Sequence, residues 1–161
     1  MRFRVGFVLL AAACLVLFAG CGDSKKKSAK KSAPASKVTS PNAKVSFVAP
    51  KDGSTQGTTV AATVKVAGFT LSPATVGQPA KAGQGHLHFA LDNGKFDYPK
   101  YSGANGQLAE KLGVAGKYSP SVSPTITYKG LPKGKHELEV YLANNDHTNA
   151  GPEAKTEFTV K

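Results

Sequence analysis

The segment Gly85-His86-Leu87-His88-Phe89-Ala90-Leu91-Asp92-Asn93 (GHLHFALDN) decides how this chain folds. Leu87, Phe89 and Leu91 alternate with His86, His88 and Ala90, the two-residue period of a strand whose faces differ. The apolar set must face a core. His86 and His88 are therefore expected to point outward together into water, with backbones about 7 Å apart.

Five further segments carry short alternating or β-branched patterns: KVSFVAP (44–50), TTVAATVKVAGF (58–69), TITYKGL (125–131), HELEVYLAN (136–144) and KTEFTV (155–160). Gly, Pro, Asn and Asp separate them. The pattern predicts an all-β domain over 44–161, an antiparallel immunoglobulin-like β-sandwich of about seven strands. Only NGQLAEKLGV (105–114) reads as helical, one short turn closed by Gly113. Pro132 and Gly134 suit a turn into HELEVYLAN, where Leu138, Val140 and Leu142 form the core face.

The start of the chain has a different character. Arg2 and Arg4 precede an apolar run from Val5 to Ala19 and then Gly20 and Cys21. That is the layout of a secretory signal, and the run is short for a membrane span, which needs about 20 apolar residues. The ending LFAGC resembles a bacterial lipoprotein signal, although Phe18 stands where Leu is usual. The resemblance implies removal of residues 1–20 and lipidation of Cys21 with palmitate-type acyl chains. Cys14 would leave with the signal, so no cysteine pair remains for a disulfide or thiolate site.

Residues 21–43 follow as a disordered tether rich in Lys, Ser, Ala and Pro, without aromatic residues. Six Lys (25, 26, 27, 30, 31 and 37) against Asp23 give it a net charge of +5, and residues 44–161 carry a net +4. Basic charge beside a lipid anchor suits anionic headgroups and places the protein on the outer side of a cell membrane. A tether without stacking aromatics and a mildly basic domain argue against nucleic acid as a partner.

GHLHFALD followed by LPKGKHELEVYLANNDH resembles a group of small exported bacterial domains that share a Gly-His-x-His strand and a later LPxGxH strand. That group has no settled function, so the resemblance implies fold and location, not chemistry.

Topology sorts the four histidines. In the expected sandwich, HLHFALD and HELEVYLAN are antiparallel neighbours, so the start of the first lies beside the end of the second. His86 and His88 then gather with His147 of the NNDHTN loop. His136 shares the parity of Leu138 and Val140, belongs at the inner edge about 20 Å away, and is expected to bond a nearby backbone group. Three imidazoles with Asp146 adjacent would suit Zn²⁺ or Cu²⁺, while soft ligands for Cu⁺ are missing. The other reading is a solvated polar strand face and a loop histidine. The three-ligand reading fails if His147 lies more than about 10 Å from the other two, because imidazoles bind at about 2.1 Å.

Catalytic patterns are absent: there is no Gly-x-Ser-x-Gly elbow, no phosphate loop and no cysteine nucleophile. Copper/zinc superoxide dismutase also carries a His-x-His strand, but needs more histidines and a disulfide than this chain supplies. Glu137 and Glu139 share a wet strand face, the ordinary signature of a half-buried strand. A non-enzymatic binding module is expected. The insertion 94–124 holds Phe96, Tyr98, Tyr101 and Tyr118, which either cradle an envelope protein or glycan or pin the insertion to the domain.

Overall fold

The computed structural model describes residues 37–96, Gln107, Glu110, Lys111 and 116–161. Nine strands follow in order: β1 (Lys44–Ala49), β2 (Ser54–Gln56), β3 (Val60–Ala67), β4 (Thr70–Leu71), β5 (Gln84–Leu91), β6 (Ser119–Ser121), β7 (Thr125–Tyr128), β8 (Gly134–Asn144) and β9 (Asn149–Val160). They form a three-stranded sheet β1-β3-β7 and a second sheet β2-β9-β8-β5-β4, with β6 also paired to β5. This is an immunoglobulin-like β-sandwich, with sequential strands divided between two sheets. The described residues make one compact unit.

The core follows from strand parity. Leu87, Phe89 and Leu91 of β5 and Leu138, Val140 and Leu142 of β8 are fully buried. They meet Val60, Ala62 and Val64 of β3, Ile126 and Tyr128 of β7, and Phe158 and Val160 of β9. Each set repeats every second residue, so one face of each of these strands is removed from water. All six segments picked from sequence are strands. The strands beyond these six, β2, β4 and β6, are only two or three residues long, and they bring the total to nine where about seven were expected. β6 lies within the 94–124 insertion, so that stretch is not all loop. Of the expected helical turn, Gln107, Glu110 and Lys111 are helical, and Gly113 lies outside the described residues.

Packing begins earlier than residue 44. Ser40 and Ala43 are buried, the Ser40 N–H donates to Ala150 O at 3.0 Å, and the Val38 carbonyl accepts from Asn144 Nδ2 at 2.9 Å. The last residues assigned to the tether are thus part of the domain.

The β5–β8 pair sets the geometry of everything that follows. It runs antiparallel without interruption from Gly85↔Asn144 to Leu91↔Leu138. At one end Asp92 (φ 49°) and Asn93 (φ 56°) take the left-handed conformation, one that Asn and Asp tolerate better than most residues. The Asp92 carboxylate there accepts from the Glu137 N–H at 2.9 Å. At the other end Gly85 admits close approach: a Cβ on it would stand 2.0 Å from Ala143 O. β8 bulges between Tyr141 and Ala143 in its pairing with β9, and such bulges re-aim the neighbouring chain.

Gly85→Ala is therefore expected to lower stability by about 1–3 kcal/mol through forced separation of β5 from β8. Urea denaturation of the wild type and variant checks this, and an unchanged midpoint would show that the strands tolerate the methyl group.

Candidate metal centre

His86 and His88 leave β5 on the face opposite the core leucines, as their parity requires. That face is not wet. Both histidines are fully buried, which corrects the expectation from sequence. The cover comes from elements of weak sequence pattern. β6 pairs with Leu87–Phe89, and the Tyr118 ring just before it stacks on His88 with centroids 3.8 Å apart and planes 18° apart. Tyr141, directly opposite His88 across the β5–β8 ladder, closes another side edge-on at 4.9 Å.

His147 arrives from the turn joining β8 to β9. Its N–H donates to Asn144 O at 3.0 Å, and its φ of 68° is left-handed, an uncommon backbone state for a residue with a side chain. This turn carries the ring back over the β5 outer face, where it stacks on His88 at 5.3 Å and meets His86 edge-on at 4.4 Å. The three expected histidines thus come together.

Their inward nitrogens form a small triangle. His86 Nε2 lies 2.8 Å from His88 Nε2 and 3.0 Å from His147 Nδ1, and the remaining side is 3.1 Å. An ion with nitrogens at about 2.0–2.1 Å in a tetrahedron sets them about 3.3 Å apart, so a few tenths of an ångström of ring motion opens the triangle to that size. Among the described residues this is the one group of three such side chains able to converge on a metal ion.

Asp146 does not join them. Its Oδ1 accepts from the Thr148 N–H at 3.1 Å and from the Thr148 hydroxyl at 2.6 Å. Slight burial acts to raise its carboxyl, but these hydrogen bonds outweigh it and hold the group below the ordinary carboxylate value. The residue caps the turn that presents His147.

Protonation suits ligation. His86 is pushed down to about 3 by burial, then by His147. Burial drives His88 well below its ordinary value, with His86 and His147 adding to it. Burial also lowers His147, opposed by Asp146. Neutral imidazoles are the form a metal needs, so few protons compete with it.

The outward nitrogens differ from one another. His88 Nδ1 lies 2.8 Å from the Tyr141 hydroxyl. His86 Nδ1 and His147 Nε2 are buried without a hydrogen-bond partner among the described residues. Burial, then Tyr118 and Glu139, raise the Tyr141 hydroxyl above its ordinary value, so it stays protonated. Sequence reading missed Tyr141. The available signal was an aromatic ring at outward parity in β8, but its partnership with His88 depends on register.

The other sequence candidates sit elsewhere. His136 is buried at the start of β8, with Nε2 donating to Pro132 O at 2.9 Å and Nδ1 2.8 Å from the Asp92 carboxylate. That is the backbone-bonded histidine expected, with a carboxylate partner added. Phe96 packs edge-on against His136 at 5.6 Å while Tyr118 lies on His88, so these rings serve different neighbourhoods. Tyr98 and Tyr101 lie outside the described residues.

Compared with known protein families and with curated proteins, the chain matches none significantly. Among solved structures it is similar to the PKD domain (329–428) of human KIAA0319. The two are 16% identical over 80% of this chain and 88% of that one, with a TM-score of 0.39. The fold rests on the strand topology above, and so weak a likeness says nothing of function.

The buried trio makes the metal-free domain sensitive to acid. In the unfolded chain these histidines titrate near 6.5, whereas folded His86 resists protonation until about 3. The unfolded state then binds more protons throughout that window, and stability present above it is lost as pH falls from 6.5 toward 3. Urea midpoints of chelator-treated protein should fall between about pH 7.5 and pH 4.5, and fall less in a His86→Ala/His88→Ala variant. Equal slopes in the two proteins would place the acid sensitivity elsewhere.

Proposed function

We propose that this protein is a lipid-anchored, extracytoplasmic lipoprotein whose β-sandwich is a non-catalytic binding module holding a divalent metal ion, Zn²⁺ or Cu²⁺, through His86, His88 and His147. The observation that carries the reading is the mutual contact of three inward ring nitrogens at 2.8, 3.0 and 3.1 Å. Hydrogen bonds alone cannot satisfy such a triangle. If one nitrogen carries the proton, the other two face each other with lone pairs; if two carry protons, the donors clash. A cation accepting all three lone pairs removes the conflict.

Other features support the same reading. Imidazole nitrogens suit Zn²⁺ and Cu²⁺, and burial already keeps the rings neutral. A surface histidine pair would need no such cover. The carboxylate next to His147 in sequence, on Asp146, is engaged by Thr148 and so is not free to act as a base at the trio. For the anchor, the support is the apolar run ending in Cys21 and the Lys-rich stretch after it.

Calorimetric titration of the purified, chelator-treated chain with Zn²⁺ and Cu²⁺ tests the centre. Binding at micromolar or tighter Kd is expected for the wild type, with loss of binding in a folded His86→Ala/His88→Ala variant. At free metal 100 times Kd the wild type should gain about 2.7 kcal/mol of stability. Binding unaltered in the variant would discard the trio as the site. Membrane fractionation tests the anchor: a Cys21→Ser variant should lose its acyl chains, and acylation that persists would discard Cys21.

A further inference from the structure

We propose that Tyr141 is the positioning residue of the histidine trio: its hydroxyl oxygen accepts the Nδ1 proton of His88, which leaves the Nε2 lone pair of that ring aimed at the centre. The assignment stands on the geometry of the outer side of the ring. Its consequence for ion affinity rests on the metal reading.

Each imidazole in the trio has one nitrogen inward and one outward, and a neutral ring carries a single proton to place on one of them. Inward protons meet the crowding described above. Outward protons need an acceptor, since a buried N–H left alone is costly. His86 Nδ1 and His147 Nε2 have no such acceptor among the described residues. His88 Nδ1 has one, the Tyr141 oxygen at 2.8 Å.

The arrangement is built rather than incidental. Tyr141 stands opposite His88 in the β5–β8 register, so backbone hydrogen bonds fix their separation. The Tyr141 hydroxyl also shares a hydrogen bond with the Tyr118 side chain, and that gives its own proton somewhere to go while its lone pair faces His88. The Tyr118 ring stacked on His88 at 3.8 Å blocks the ring from turning over. Tautomer and orientation of one ligand are thereby set before any ion arrives, whereas among the described residues no hydrogen bond on the outward nitrogen fixes the other two rings. Partners of this kind on a ligating histidine raise its basicity and fix the nitrogen it presents.

The test uses the full chain, ¹⁵N-labelled and metal-free, and reads the ring nitrogen shifts of His88 together with Zn²⁺ affinity. The wild type should show His88 protonated on Nδ1. Tyr141→Phe keeps the ring and removes the acceptor. It should shift His88 toward the other tautomer and weaken Zn²⁺ binding roughly 10- to 100-fold. A purely packing role for the hydroxyl would leave the tautomer unmoved. The proposal is overturned if wild-type His88 carries its proton on Nε2, or if Tyr141→Phe alters neither tautomer nor affinity. A wild type that takes up no ion overturns the metal reading instead, while the ring shifts still decide the tautomer; they also decide it if the variant fails to fold.

Discussion

The antiparallel ladder between β5 and β8 is the constraint on which the rest of the molecule depends. Seven consecutive pairs from Gly85↔Asn144 to Leu91↔Leu138 hold the two strands in one register. Since side chains alternate, one register has two outcomes. Leu87, Phe89 and Leu91 are turned inward beside Leu138, Val140 and Leu142. His86 and His88 are turned outward, with Tyr141 opposite His88. A slip by one residue would exchange the faces and lose both. The core that stabilises the fold and the cluster that gives it chemistry are opposite sides of one set of backbone hydrogen bonds.

That dependence explains what could be read from sequence. The six main strands were legible because each carries its own alternation, a local signal. The gathering of His86, His88 and His147 was legible because it needed only the antiparallel neighbourhood of two strands, not the details of their pairing. Burial of the histidines was not. Their cover includes the Tyr118 ring, which precedes β6, a three-residue strand paired beside β5 with Pro120 at its centre, and neither has a pattern that marks its place against a particular strand or face. Tyr141 is an intermediate case: its outward parity was visible, its partner was not, because His88↔Tyr141 is a statement of register.

Polarity is distributed unusually around β5. A β-sandwich strand has a dry face and a wet one, whereas here the second face is dry too, and polar. Two fully buried imidazoles with lowered proton affinity are costly in a fold this small, since buried polar groups weaken it unless they are partnered. The opposite end of the same ladder manages its buried histidine differently. His136 is partnered on both nitrogens, by Pro132 and Asp92. One sheet thus carries a satisfied histidine at one end and an unsatisfied cluster at the other.

The three nitrogens do not come from equivalent places. Two belong to the interior of a paired strand, and the third to a short reversal between β8 and β9 whose shape depends on the left-handed backbone of His147 and the Asp146–Thr148 cap. A guest held by all three would join the middle of the sheet to a hairpin tip. Variation in that tip could therefore alter grip strength and residence time while the sandwich stays the same, leaving the three residues Asp146 to Thr148 as a dial separate from the scaffold.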